Sequence, residues 1–92
     1  MRTENRSVML DGAQMTNREL LWDHVKETIG LPDYAGRNLD ALFDVLTEYR
    51  RPLTIKLIHR EQMETALGGY GERFLETLIE AAEENGYLDI QI

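Results

Sequence analysis

Apolar positions along the chain fall into two spacings, one strand-like and one helical. Residues 7–11 (Ser-Val-Met-Leu-Asp) form a short apolar run that stops at the turn signal Asp11-Gly12, which predicts a strand. Leu53-Thr54-Ile55-Lys56-Leu57-Ile58 is short and rich in branched side chains, and predicts a second. Leu88-Asp89-Ile90-Gln91-Ile92 alternates and predicts a third. Between them the period lengthens. Thr16-Asn17-Arg18-Glu19 has the form of a capping box, and Leu21, Val25 and Ile29 then share one helical face as far as Gly30 and Pro32. Leu39, Leu42, Phe43 and Leu46 stand at i, i+3, i+4 and i+7 behind Asn38, a plausible N-cap. A short helix is expected over 60–67, broken by Gly68-Gly69. A last helix is expected over 72–85, with Leu75, Leu78, Ile79 and Ala82 as its core stripe and Gly86 as its cap.

The element order is therefore β-α-α-β-α-α-β. Strands joined through helices pair in parallel, so the fold class is α/β: a small three-stranded parallel sheet packed with helices. No repeat or low-complexity segment is present. Residues 1–6 read as a loose tail, and 7–92 as one domain.

Charge narrows the partners. The 92 residues carry 17 acidic and 10 basic side chains, a formal net charge of −7. Such a chain repels nucleic acid and anionic membrane, since phosphate binding needs clustered Lys and Arg, so a basic protein is the expected partner. There is no cysteine, which excludes disulfides, zinc-thiolate sites and a cysteine nucleophile. The first residues lead into no apolar signal region and no run approaches a membrane span, so a cytoplasmic location is expected. The acidic excess is also placed. Asp40, Asp44 and Glu48 recur four apart on the second helix, and Glu72, Glu76, Glu80 and Glu84 on the last, with Glu83 beside them. Like charges at that spacing cost about 0.2–0.5 kcal/mol per pair. Two readings follow: a solvated helix face, or a binding surface whose self-repulsion a cationic partner relieves.

Residues with chemistry of their own point to no reaction. Asp40 and Asp44 could act as acid and base, but exposed helix carboxylates have little reason for shifted pKa values. With His24 or His59 they would make a small hydrolase, whose mark would be an activity lost in carboxylate variants. Neither histidine has metal-ligand spacing. Ser7 lacks a nucleophile-elbow context, and Gly68-Gly69-Tyr70-Gly71 is a turn before the last helix rather than a phosphate loop. No catalytic residue, metal or cofactor is expected. Trp22 and Phe74 fit the core. Tyr34 and Tyr49 lie in the loops flanking the acidic second helix, and Phe43 adjoins Asp44. Aromatics among charges have the composition of a protein-binding surface.

Residues 31–47, Leu-Pro-Asp-Tyr-Ala-Gly-Arg-Asn-Leu-Asp-Ala-Leu-Phe-Asp-Val-Leu-Thr, resemble the signature of the barstar family, L-P-x-Y-x-G-x-N-L-D-A-L-W-D-x-L. These are intracellular inhibitors of barnase-type ribonucleases, and the likeness covers nearly all of residues 7–92. It implies the family's three-layer fold and a one-to-one complex with a basic secreted or toxin ribonuclease, the inhibitor being a monomer when free. It implies that Asp44 is the central anchor, entering the nuclease's phosphate site, with Asp40 as a second acidic contact. Tyr34 would pack on the nuclease's catalytic-histidine loop, Gly36 and Asn38 would be loop contacts, Thr47 a helix-end contact, and Glu80 part of the acidic surface. The rationale is phosphate mimicry: a carboxylate takes a phosphate's place among Arg, Lys and His. Departures lie around that centre. Phe43 replaces a tryptophan, Ala35 a tyrosine and Arg37 an acidic residue. Glu48-Tyr49 replaces glycine-tryptophan, Arg50-Arg51 adds positive charge, and the loop before Pro52 is a residue shorter. A different cognate nuclease is expected, with weak or no inhibition of the type enzyme. The alternative is an adaptor or immunity protein for another cationic protein.

Overall fold

The computed structural model describes residues 6–92. The strands are β1 (Arg6–Asp11), β2 (Leu53–Ile58) and β3 (Leu88–Gln91). The helices are α1 (Arg18–Val25), which runs on through a π-helical turn at Lys26–Gly30, α2 (Leu39–Glu48), α3 (Arg60–Leu67) and α4 (Gly69–Glu84). Arg6, expected in the tail, is the first residue of β1, and the rest of that expected tail, 1–5, lies outside the described residues.

The sheet is parallel, as the long connections require, in the order β1-β2-β3. Val8 stands opposite Ile55, and Ile55 opposite Ile90. Alternation does the rest. Leu10, Leu53, Ile55, Leu57 and Leu88 turn into the core, while Met9, Lys56, Asp89 and Gln91 turn to solvent. The core joins these strand residues to Leu21, Trp22 and Val25 of α1, Leu42 and Leu46 of α2, and Phe74, Leu75, Leu78 and Ala81 of α4. Trp22 meets Phe74 edge to face at 6.5 Å, and its Nε1 donates to the Tyr70 hydroxyl at 3.0 Å. Both were expected in the core. Helix α4 packs against β3 on one side and α2 on the other, so α2 forms an outer layer.

Four local expectations are corrected. The cap of α1 is Asn17, not Thr16: its Oδ1 accepts from the Leu20 N–H at 2.8 Å, which places Glu19 one residue too early to complete a capping box. Helix α4 begins at Gly69 rather than 72, because Gly68 alone makes the turn, at φ 55°, and Gly69-Tyr70-Gly71 is already helical. Its core stripe runs through Phe74, Leu75, Leu78 and Ala81, and Ile79, about 100° round from Leu78, is 40% exposed. Nor does Gly86 end α4 in a left-handed cap. Asn85 leaves the helix in an extended conformation, and its side chain takes over the termination.

Candidate functional site

Helix α2 starts where expected. Asn38 is extended (φ −149°, ψ 166°) and its Oδ1 accepts from the Ala41 N–H at 2.8 Å. Gly36 leaves room for this cap, since a Cβ there would stand 2.7 Å from Asn38 Nδ2. Asp40 falls in the first turn, where a carboxylate is stabilised by the helix dipole. Leu42 and Leu46 bury one side of α2, which leaves Asp40, Asp44 and Glu48 exposed on the other. The carboxylates of Asp40 and Asp44 make no hydrogen bond or ion pair with any described residue. They form a ridge of unpaired negative charge on the outermost layer.

The C-terminal end of α2 is tied down. Arg50 Nη1 donates to the Thr47 carbonyl at 2.8 Å, and Asn85 Nδ2 donates to the carbonyls of Leu46 at 2.9 Å and Tyr49 at 2.7 Å. These bonds satisfy acceptors that a helix end leaves open. Asn85 Oδ1 accepts from the Tyr87 N–H, so one buried side chain joins the ends of α2 and α4. Thr47 Oγ1 donates to the Phe43 carbonyl at 2.9 Å, leaving its oxygen as an acceptor for a partner.

The expected site residues divide by exposure. Tyr34 is 90% exposed, and Gly36, Asn38, Asp40, Asp44 and Glu80 are on the surface. Phe43 and Tyr49 are half-buried and pack against the core, so of the two loop tyrosines only Tyr34 stands fully clear. Glu80 lies on the exposed face of α4, the helix that supports α2, with Glu72, Glu76, Glu83 and Glu84 also exposed. Arg37 and Arg50, both departures near the site, are used internally. Arg37 binds Asp23 at 2.7 Å and the Glu19 carbonyl at 3.1 Å, and Arg50 closes α2.

The histidines serve the fold. His24 Nε2 accepts from the Asp11 N–H at 2.9 Å, and His59 Nδ1 lies 2.7 Å from Asp11 Oδ1. That contact, with the Ala13 N–H, lowers the Asp11 pKa from its ordinary 3.8. The cleft beside Asp40 is lined by no histidine. Among the described residues no cluster of three or more His, Asp or Glu could hold a metal ion. None of their helices is long and apolar enough to cross a membrane.

The profile of the Barstar family, the barnase inhibitors, matches residues 5–91. The chain belongs to the barstar family. It is also 45% identical over 80 residues to the Bacillus subtilis (strain 168) protein named "Putative ribonuclease inhibitor YrdF", an overlap of 86% of this chain and 88% of that one. Barstar-family proteins are inhibitors rather than enzymes, and the three parallel strands with four helices fit that family's fold. Sequence reasoning missed Asn85, whose role needs three segments to meet. It also missed the pairing of Asp23 with Arg37 and Lys26 with Asp33, for which the order of charges on the helix and the loop, minus then plus on each, was a usable signal.

Proposed function

We propose that this barstar-family protein inhibits a basic ribonuclease by laying the exposed edge of α2 and the loop before it over the nuclease's cationic active site. The observation that carries the reading is the unpaired ridge of Asp40 and Asp44 on the outer layer, within a chain that matches the family almost end to end. Asp44, at the middle of the exposed edge, takes a phosphate's place and accepts charge-assisted hydrogen bonds from Arg, Lys and His. Asp40 and Glu80 extend the negative surface, and Tyr34 supplies the apolar contact. Gly36, Asn38, Phe43, Thr47 and Tyr49 complete the contact area. The complex is one-to-one, the free protein is a monomer, and both act in the cytoplasm against a secreted or toxin nuclease.

Arg37, paired with Asp23, adds little repulsion to such a partner, whereas Phe43 and Ala35 alter the aromatic contour. The cognate nuclease therefore differs from barnase, and barnase itself is inhibited weakly or not at all. Titration of barnase-type ribonucleases with wild type and Asp44→Ala, reading RNA cleavage, tests both statements. Stranding the nuclease's buried cations should weaken inhibition at least ~100-fold. Unchanged inhibition by Asp44→Ala sinks the anchor assignment. Equally tight inhibition of barnase and of the cognate enzyme sinks the specificity claim.

A further inference from the structure

The loop over 31–37 presents Tyr34 but has little apolar packing of its own. Leu31 is buried and Pro32 and Ala35 half-buried, while Asp33, Tyr34, Gly36 and Arg37 are exposed. Beneath its C-terminal end runs an open cleft of about 730 Å³, with Arg18, Trp22 and Asp23 of α1 on one side and Arg37, Asn38 and Asp40 on the other. Two ion pairs span from α1 to the loop. Lys26 Nζ lies 2.8 Å from Asp33 Oδ1, and Arg37 Nη2 lies 2.7 Å from Asp23 Oδ1. One pair stands on each side of Tyr34. The charges also fix the seating. The helix carries minus then plus at 23 and 26, and the loop minus then plus at 33 and 37, so the reversed seating would oppose Asp23 to Asp33 and Lys26 to Arg37.

We propose that Asp23 and Lys26 are positioning residues: from α1 and its π-helical turn they hold the loop over 31–37 in the conformation that presents Tyr34 to the nuclease. The proposal rests on the inhibitory reading above. Its physical content is preorganisation. A loop already ordered in the free protein loses less conformational freedom on binding. All four side chains are at least 45% exposed, so each pair is weak alone and screened by salt. Their effect comes from closing a short segment at both ends.

The test compares wild type, D23N/K26Q, the charge-keeping D23E/K26R and Asp44→Ala. Amide hydrogen exchange is read in the free protein, and inhibition is read on a panel of barnase-type ribonucleases. D23N/K26Q should speed exchange at 34–37 and leave the amides of α4 unchanged. It should also weaken inhibition by about three- to twentyfold. D23E/K26R should restore most of both. Wild-type exchange in D23N/K26Q overturns the clamp. A loosened loop with full inhibition overturns the positioning role, provided that Asp44→Ala has lost inhibition. If Asp44→Ala inhibits normally, the inhibitory reading itself fails and takes the positioning role with it, whatever the exchange result.

Discussion

The contacts of Asp11 shape the ends of two strands. Its Oδ1 receives the Ala13 N–H at 2.9 Å and faces His59 Nδ1, while its own N–H goes to His24. His59 is the one described non-glycine residue with positive φ (53°), a conformation that costs about 1 kcal/mol or more and persists only where contacts hold it. The contact with His59 lowers the Asp11 pKa first, and the Ala13 N–H adds to this. A lowered carboxyl pKa gives stability that is full above the ordinary value of 3.8 and is lost as the pH falls below it. Thermal midpoints of wild type and Asp11→Asn should therefore differ at pH 5–7 and converge toward pH 3. Midpoints that stay equally far apart at both ends would show that the His59 contact carries no such linkage.

At the scale of elements, the acidic helix depends on what fastens its two ends. Its N-terminus has its own cap in Asn38, but its C-terminus borrows Asn85 from the chain beyond α4. Asn85→Asp keeps the shape and removes both donors, leaving two carbonyls short and a carboxylate facing them. Destabilisation of about 1–3 kcal/mol is expected from the stranded buried groups, measured by urea unfolding. A change within ±0.5 kcal/mol would mean that water serves those carbonyls as well. This explains how much could be read from sequence. Strands β2 and β3, the start of α2 and the parallel sheet are written in local spacing and in cap residues adjacent to what they cap. The acidic ridge was legible for the same reason, since Asp40 and Asp44 are neighbours on one face. Asn85 was not, because its partners at 46 and 49 come together only through packing. Thr16 and Asn17 are both good caps, and only the backbone at Asn17 decided between them. Ile79 looked as apolar as Leu78, and the contact of α4 with both β3 and α2 set which of them turns inward.

Over the whole molecule the charges are sorted by use. Arg6, Arg37 and Arg50 donate to backbone carbonyls, Arg60 pairs with Glu64, and Arg18 and Arg73 stand over the Tyr70 ring. These arginines are committed to architecture, whereas the carboxylates along α2 and α4 are left to solvent. The net charge of −7 is thus concentrated on two adjacent helices rather than spread evenly. Such a field steers a basic partner over distances comparable to the Debye length, ~10 Å at 0.1 M salt. Stopped-flow association with the cognate nuclease should slow about tenfold or more between low and high salt, with little change in dissociation. A salt-independent association rate would mean that the ridge acts only on contact.

The position of β2 in the middle of the sheet has a consequence for the growing chain. Both ladders include β2, and β1 has no other partner, so no strand can pair before residue 53 has been made. At about 5–20 residues per second on the ribosome, β1 waits several seconds while α1 and α2 emerge with their apolar stripes uncovered. During that interval Asp40, Asp44 and Glu48 ride on the same helix as the exposed Leu42 and Leu46. The ridge read here as a weapon against a nuclease would then also keep the unfinished inhibitor apart from its own copies.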